Sequence, residues 1–201
     1  MATLRIQLLG APQIYVNGDG VAIERRKSVA ILAYLAVSGR VLSRDSLAAL
    51  FWPDSDQAHA RMGLRRALSS LNQSIGHDRI DANQDTIALV ESAGLSVDVV
   101  EFRKLCTQSN TATLEQAISL YAGDFMAGFS LTDCPDFDLW QSQQSEEVRV
   151  LHLRTLHRLA SLQQAAGDQA RLVETARRWA EHDPLDERAH AHLISALAAL
   201  G

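Results

Sequence analysis

The chain has 201 residues and a formal net charge of −5, with 47% apolar and 21% charged side chains. That composition is ordinary for a folded globular protein and excludes disorder as its dominant state. The longest unbroken apolar run, VAILAYLAV at 29–37, falls well short of the ~20 residues that span a bilayer, and MATLRIQLLG has none of the features of an export signal, so the expectation is a cytoplasmic protein with no membrane contact.

Residues 4–9 (LRIQLL) alternate apolar and polar, and 13–16 and 21–23 flank Asn17-Gly18-Asp19-Gly20. This pattern predicts a small antiparallel sheet with a hairpin. A helix is expected over 27–38, apolar nearly all round and therefore buried, with Gly39 suited to its left-handed cap. Ser43 is expected to cap a short helix over 44–51, with Asp45 in the first turn and Trp52-Pro53 as the stop.

The stretch 58–75, AHARMGLRRALSSLNQSI, is the most informative. At 100° per residue, Ala60, Leu64, Ala67, Leu68, Leu71 and Ile75 share one face, which must be core. His59, Met62, Arg65, Arg66, Ser69, Ser70 and Gln73 share the other, with Arg61 at the edge of the apolar stripe. Gly63 lies inside this helix at a cost of about 1 kcal/mol relative to alanine. After Gly76, residues 79–81, the turn residues Asn83-Gln84-Asp85 and 86–90 predict a second hairpin placed as a wing.

Strands, three helices and a hairpin in this order suit a winged helix-turn-helix, whose last helix reads base edges in the major groove. The candidate DNA contacts are His59, Arg61, Met62, Arg65, Arg66, Ser69 and Gln73 on that helix. Ser43 and Arg44 at the start of the short helix are placed to receive a phosphate, and Arg79 and Asn83 to touch the backbone or minor groove from the wing. Arg61 also has a plainer reading, packed along its neighbour or ion-paired. Dividing the charge favours the first half: residues 1–97 carry +1 and residues 98–201 carry −6, and 57–75 hold three arginines without an acidic residue.

In the second half, Asp98 with Glu101 and Thr113 with Gln116 have capping-box spacing and mark helix starts. A glycine-bearing connection over 123–134 leads to Pro135, which opens a long helix to about Ala166. Val148, Leu151, Thr155, Leu159, Leu162 and Ala166 line one face of it, and Leu153, Leu156 and Ala160 another, so it needs neighbours on both sides. Further helices are expected from the Gly167-Asp168 turn to Glu181 and, past Asp183-Pro184, over 186–200. A 34-residue shift superposes Leu159 on Leu193, Ala160 on Ile194 and Ala166 on Leu200, the tetratricopeptide period, and implies that more repeats follow.

LRIQLLGAPQIYVNG, RRKSVAILAYLAVSGRVLSRDSLAALFWPD and ARMGLRRALSSLNQSIG resemble the OmpR-type winged helix of the Streptomyces antibiotic regulatory proteins (SARP family). VDVVEFRKL, LYAGDFMAGF and DFDLW resemble their bacterial transcriptional activator domain. The resemblance covers essentially the whole chain and implies DNA binding by the third helix, matching Arg65, Arg66 and Ser69.

Competing chemistry finds little support. Cys106 and Cys134 lack ligand spacing and read as reduced structural thiols, and Trp140 and Trp179 as core. His152 with His157, and His190 with His192, lie at spacings that do not share a helix face. There is no phosphate-cradling glycine loop, no nucleophile elbow and no convincing carboxylate pair, so neither an enzyme nor a cofactor is expected.

The fold class expected is mainly α with a small β component. An N-terminal winged helix-turn-helix at 1–97 precedes an all-α, tetratricopeptide-like activator domain at 98–201. The expected function is a sequence-specific regulator, an activator, of promoters carrying direct repeats of double-stranded DNA. Its helical half would serve homodimerisation, contact with RNA polymerase or control by a downstream module. The alternative is a regulatory head, no longer binding DNA, of a larger signalling ATPase or cyclase.

Overall fold

The computed structural model describes residues 3–92 and 94–200. By packing, the chain forms two compact units, one of Met1–Val100 with Gly123–Ser145, the other of Glu101–Ala122 with Glu146–Gly201. Segment 123–145, grouped with the second half on sequence, thus packs in the first unit.

The first unit opens with a sheet of strands β1 (Leu4–Gln7), β2 (Gln13–Val16) and β3 (Asp19–Gly20). Alternation aims Leu4 and Ile6 inward, and antiparallel pairing sets Leu4 opposite Val16 and Ile6 opposite Ile14. The hairpin is tighter than expected. Asn17 and Gly18 alone take positive φ (55° and 94°), so the return strand is 19–20 rather than 21–23. A strand not foreseen, Leu95–Val97, lies parallel to β1 on its other edge.

Three helices follow, α1 (Arg26–Ser38), α2 (Arg44–Phe51) and α3 (Gln57–Ile75). Gly39 closes α1 at φ 57°, donating its N–H to the Leu35 carbonyl. Ser43 Oγ caps α2 by accepting from Ser46 N. Asp56, whose capping role was not anticipated, accepts from His59 N and sets the first turn of α3. Apolar side chains from all three helices, among them Ile31, Leu35, Leu47, Phe51, Leu64 and Leu71, are almost fully buried. Each such burial is worth about 1.5–3 kcal/mol.

The wing is the hairpin Ile80–Ala82 with Thr86–Leu89. The two-residue strand Leu42–Ser43 pairs with it, Leu42 opposite Ile87, to make a three-stranded sheet. Asn83 Oδ1 accepts from Asp85 N and Thr86 N and shapes the turn.

Residues 123–145 complete this unit. Gly10 N donates to the Asp124 carbonyl, Met126 N to that of Leu8 and Ala127 N to that of Gly10, extending the β1 end of the sheet. Beyond them Pro135 opens the helix Pro135–Ala165, whose Phe137 meets Phe51 at 5.3 Å and whose Trp140 meets Tyr34 at 4.7 Å between ring centres. Trp140 is half-buried rather than fully core.

Asp98, at the start of the helix Asp98–Cys106, is engaged by a strand far along the chain. Its carboxylate is buried and accepts from Leu8 N at 2.8 and 2.9 Å, Leu9 N at 2.9 Å and Val99 N at 2.7 Å, so it ties the end of β1 to the start of the helix Asp98–Cys106. Thr113 is not the cap of its helix. The helix Thr111–Leu120 begins one turn earlier, with Asn110 Oδ1 accepting from Thr113 N.

The second unit is wholly helical. Leu114, Ile118, Leu156, Leu159, Leu172 and Trp179 form its core with Ala160, Ala189 and Ala196. The helices Gln169–His182 and Glu187–Leu200 pack closely as a hairpin, the first capped by Asp168. On the long helix the buried stripe includes His152 and Gln163, while Leu162, expected inside, is 38% exposed. The 34-residue correspondence also departs from equal burial. Ala160 is inaccessible, whereas Ile194 is 68% exposed. Both cysteines are buried free thiols. Among the described residues no helix is long and apolar enough to cross a membrane, and no cluster of three metal-binding side chains occurs.

Candidate nucleic-acid interface

The periodicity of α3 sorts its side chains as the wheel predicts. Ala60, Leu64, Ala67, Leu68, Leu71 and Ile75 are the buried residues of the helix. His59, Arg61, Met62, Arg65, Arg66, Ser69 and Gln73 are exposed, and Ser70 is half-buried. The outer face is a ridge of hydrogen-bonding groups and cations carried on a rigid, well-anchored helix.

Its cations differ in how they are committed. Arg61 grips Asp45 through two parallel bonds, Nε to Oδ1 at 2.7 Å and Nη2 to Oδ2 at 2.8 Å. The guanidinium lowers the Asp45 pKa and is itself raised in return. Arg61 therefore links α3 to α2, and its charge is largely cancelled. Arg65 and Arg66 have no partner among the described residues, so their ten N–H donors face water. His59 Nδ1 lies 2.6 Å from Asp56 Oδ2, an exposed pair at the amino end of the ridge.

The other expected contacts are distributed around this helix. Arg44 Nη1 donates to the Asn83 carbonyl at 2.7 Å, and Arg44 N donates to the Asp85 carbonyl at 2.8 Å, bracing the wing tip against α2. Arg44, Arg61, Arg65 and residues 82–85 line one groove beside the ridge. The Ser43 hydroxyl and the Asn83 amide oxygen serve the cap and the turn. Arg79 corrects the expectation. It is only 6% exposed, its Nη1 donates to Ser92 Oγ at 3.1 Å, and it is turned into the wing base rather than offered at the surface. Arg79 lies in the bend just before the strand Ile80–Ala82, outside its alternation, and Val90 N donates to the Arg79 carbonyl at 2.9 Å, which draws the residue into the base of the hairpin.

The structure also accounts for Gly63. A β-carbon there would sit 2.5 to 2.9 Å from three atoms of the Trp52 indole, so the helix is glycine where the aromatic ring crosses it. Trp52 in turn lies under the Lys27 ammonium, 4.9 Å from the ring centre. No local pattern marked this contact.

Residues 97–201 match the family model of the bacterial transcriptional activator domain. No curated protein sequence matches the chain. The fold is similar to that of Mycobacterium tuberculosis EmbR, solved in complex with a low-affinity phosphopeptide, with a TM-score of 0.74 at 18% identity. The match covers 99% of this chain and 55% of the EmbR chain, so the chain spans about half the length of that protein. With that domain model matched over more than half of this chain, the chain belongs to the bacterial transcriptional activator domain family.

Proposed function

We propose that the chain is a transcription regulator of the Streptomyces antibiotic regulatory protein type that acts by binding specific double-stranded DNA in the cytoplasm, with α3 in the major groove, the 79–90 hairpin as its wing, and direct repeats at promoters as targets. Residues 1–97 are the DNA-binding domain in this reading, and 98–201 the activator domain that serves homodimerisation or contact with RNA polymerase. One observation carries the proposal. Arg65 and Arg66 stand exposed and unneutralised on a helix whose opposite face is locked into the core. Arg66, Arg65, Ser69, Gln73 and Met62 are the base-reading candidates, with His59 at the helix start. Ser43, Arg44 and Asn83 are assigned to the phosphate backbone, and Arg61 acts by holding α3 against α2.

The test is selection of duplexes from a random-sequence library, followed by titration of the recovered duplex. Salt-sensitive binding is expected. Arg66→Ala should weaken it by about 1–3 kcal/mol, roughly 5- to 150-fold. A chain that retains no duplex at low salt refutes the proposal. The bond that cancels Arg61 with Asp45, together with burial of Arg79, favours a second reading, a regulatory head without DNA affinity. That reading gains if the chain ignores DNA yet changes the activity of an attached ATPase or cyclase.

A further inference from the structure

Successive residues of α3 step by roughly 100° around its axis. Arg65 and Arg66 therefore stand on opposite shoulders of the ridge made by Met62, Ser69 and Gln73. Each shoulder borders a groove. Arg65 looks onto the one shared with Arg44 and the wing tip. Arg66 looks onto a second, of about 530 Å³, lined also by Arg25, Arg26, Lys27, Trp52 and Gly63 and bounded by residues 130–133.

The second groove carries more positive charge than it neutralises. Lys27 Nζ is 2.7 Å from Asp133 Oδ2 and donates to the Phe51 carbonyl at 2.6 Å. Arg26 is held in place, donating to the Ser130 carbonyl at 2.8 and 3.2 Å with its guanidinium 4.6 Å from the Phe129 ring centre, but among the described residues no carboxylate pairs with it. Arg25 precedes α1 with an exposed side chain that caps nothing and, like Arg66, has no partner among the described residues. Four cations thus border a cleft that holds one carboxylate, an arrangement that calls for an anion.

A helix lying in the major groove, which is about 12 Å wide, has a phosphate backbone on each side, one from each strand. We infer that the Arg25–Arg66 groove is a second phosphate-binding surface, seating the backbone of the strand opposite the one that runs past Arg44 and Arg65. Arg25 contacts the phosphates, while Arg66, on the base-reading ridge, and Arg26 and Lys27, fixed by the 130–133 segment, supply field. The inference rests on the DNA-binding reading. Free phosphate compounds share this chemistry, and the test separates them from a duplex.

The full chain is titrated with its selected duplex across a salt series, as wild type, Arg25→Ala, Arg25→Glu and Arg65→Ala, and phosphate-ethylation interference is mapped on both strands. Arg25→Ala should reduce the slope of log affinity against log salt by about 0.9 and abolish interference on one strand only. Arg65→Ala should lower affinity while leaving that interference in place, and Arg25→Glu should bind more weakly than Arg25→Ala. Equal thermal melting of wild type and Arg25→Ala, expected for an exposed side chain, excludes misfolding. The inference is overturned, with DNA binding intact, if both Arg25 variants keep the wild-type slope and interference map while Arg65→Ala loses affinity. It is overturned in favour of a free anion if inorganic pyrophosphate raises the melting temperature in an Arg25-dependent way and the slope is unchanged. Absence of any duplex binding by wild type refutes it together with the function it rests on.

Discussion

Replacing Gly63 with alanine sets two effects of opposite sign against each other. On an isolated helix the change adds about 1 kcal/mol of stability, because glycine is the poorer helix former. In this protein the added methyl group would stand 2.5 Å from Trp52 Cε2, 2.7 Å from Nε1 and 2.9 Å from Cζ2, all inside contact distance. The ring is flanked by Lys27, 4.9 Å from its centre, and by Phe51, 6.4 Å away edge-on, contacts that it would have to give up to withdraw. Overpacking of this kind costs about 1–3 kcal/mol, occasionally more, and two bad contacts below 2.8 Å put the site near the upper end. The net expectation is a loss of about 1–2 kcal/mol. For a chain of this size that lowers the melting temperature by roughly 2–8 °C, followed by far-ultraviolet circular dichroism. In a Trp52→Ala background the clash is gone and the same Gly63→Ala change should stabilise, so the double-mutant cycle should return a coupling of about 2–3 kcal/mol. A raised melting temperature for Gly63→Ala alone, or zero coupling, would show that the indole does not dictate the glycine.

Burial, with smaller contributions from His182 and Arg178, pushes the His152 pKa down to about 3, and neither ring nitrogen has a hydrogen-bond partner among the described residues. The unfolded chain takes up this proton near pH 6.5 and the folded one does not, so stability from this group is intact above that pH. It should fall as pH drops toward 3, by up to about 1.4 kcal/mol per pH unit. His152→Phe keeps the stacking on Tyr121, 3.9 Å between ring centres, and should flatten the denaturant midpoint against pH over that window. Asp98→Asn puts an amide group among three backbone donors that now share a carboxylate, and should cost about 2–3 kcal/mol in chemical denaturation. An unchanged midpoint would remove Asp98 as the tie between β1 and its helix. Because Arg61 is already committed to Asp45, Arg61→Ala should reduce duplex affinity less than Arg66→Ala does, and the reverse order in a titration would contradict the assignment of Arg61 to holding α3.

Local regularities were readable from the residues alone. The apolar period of α3, the Ser43 cap, the Gly39 stop and the turn at Asn83 depend on neighbours within a few positions, and each appears where the spacing required it. The two shoulders of the α3 ridge follow from the same period. What the residue order left open depends on partners far along the chain. Asp98 reads only as a helix cap until Leu8 and Leu9 are brought to it from ninety and eighty-nine positions away. Gly63 reads as a defect until Trp52 crosses it, and Arg79 reads as a surface cation until the wing base folds over it. Arg25–Lys27 read only as part of a family resemblance until Arg66 and residues 130–133 gather around them. A helix or strand period states which face is buried and is silent about what buries it, so hydrogen-bond brackets, close glycine contacts and paired cations are settled by tertiary packing, where side chains remote in sequence compete for the same donors, charge and space.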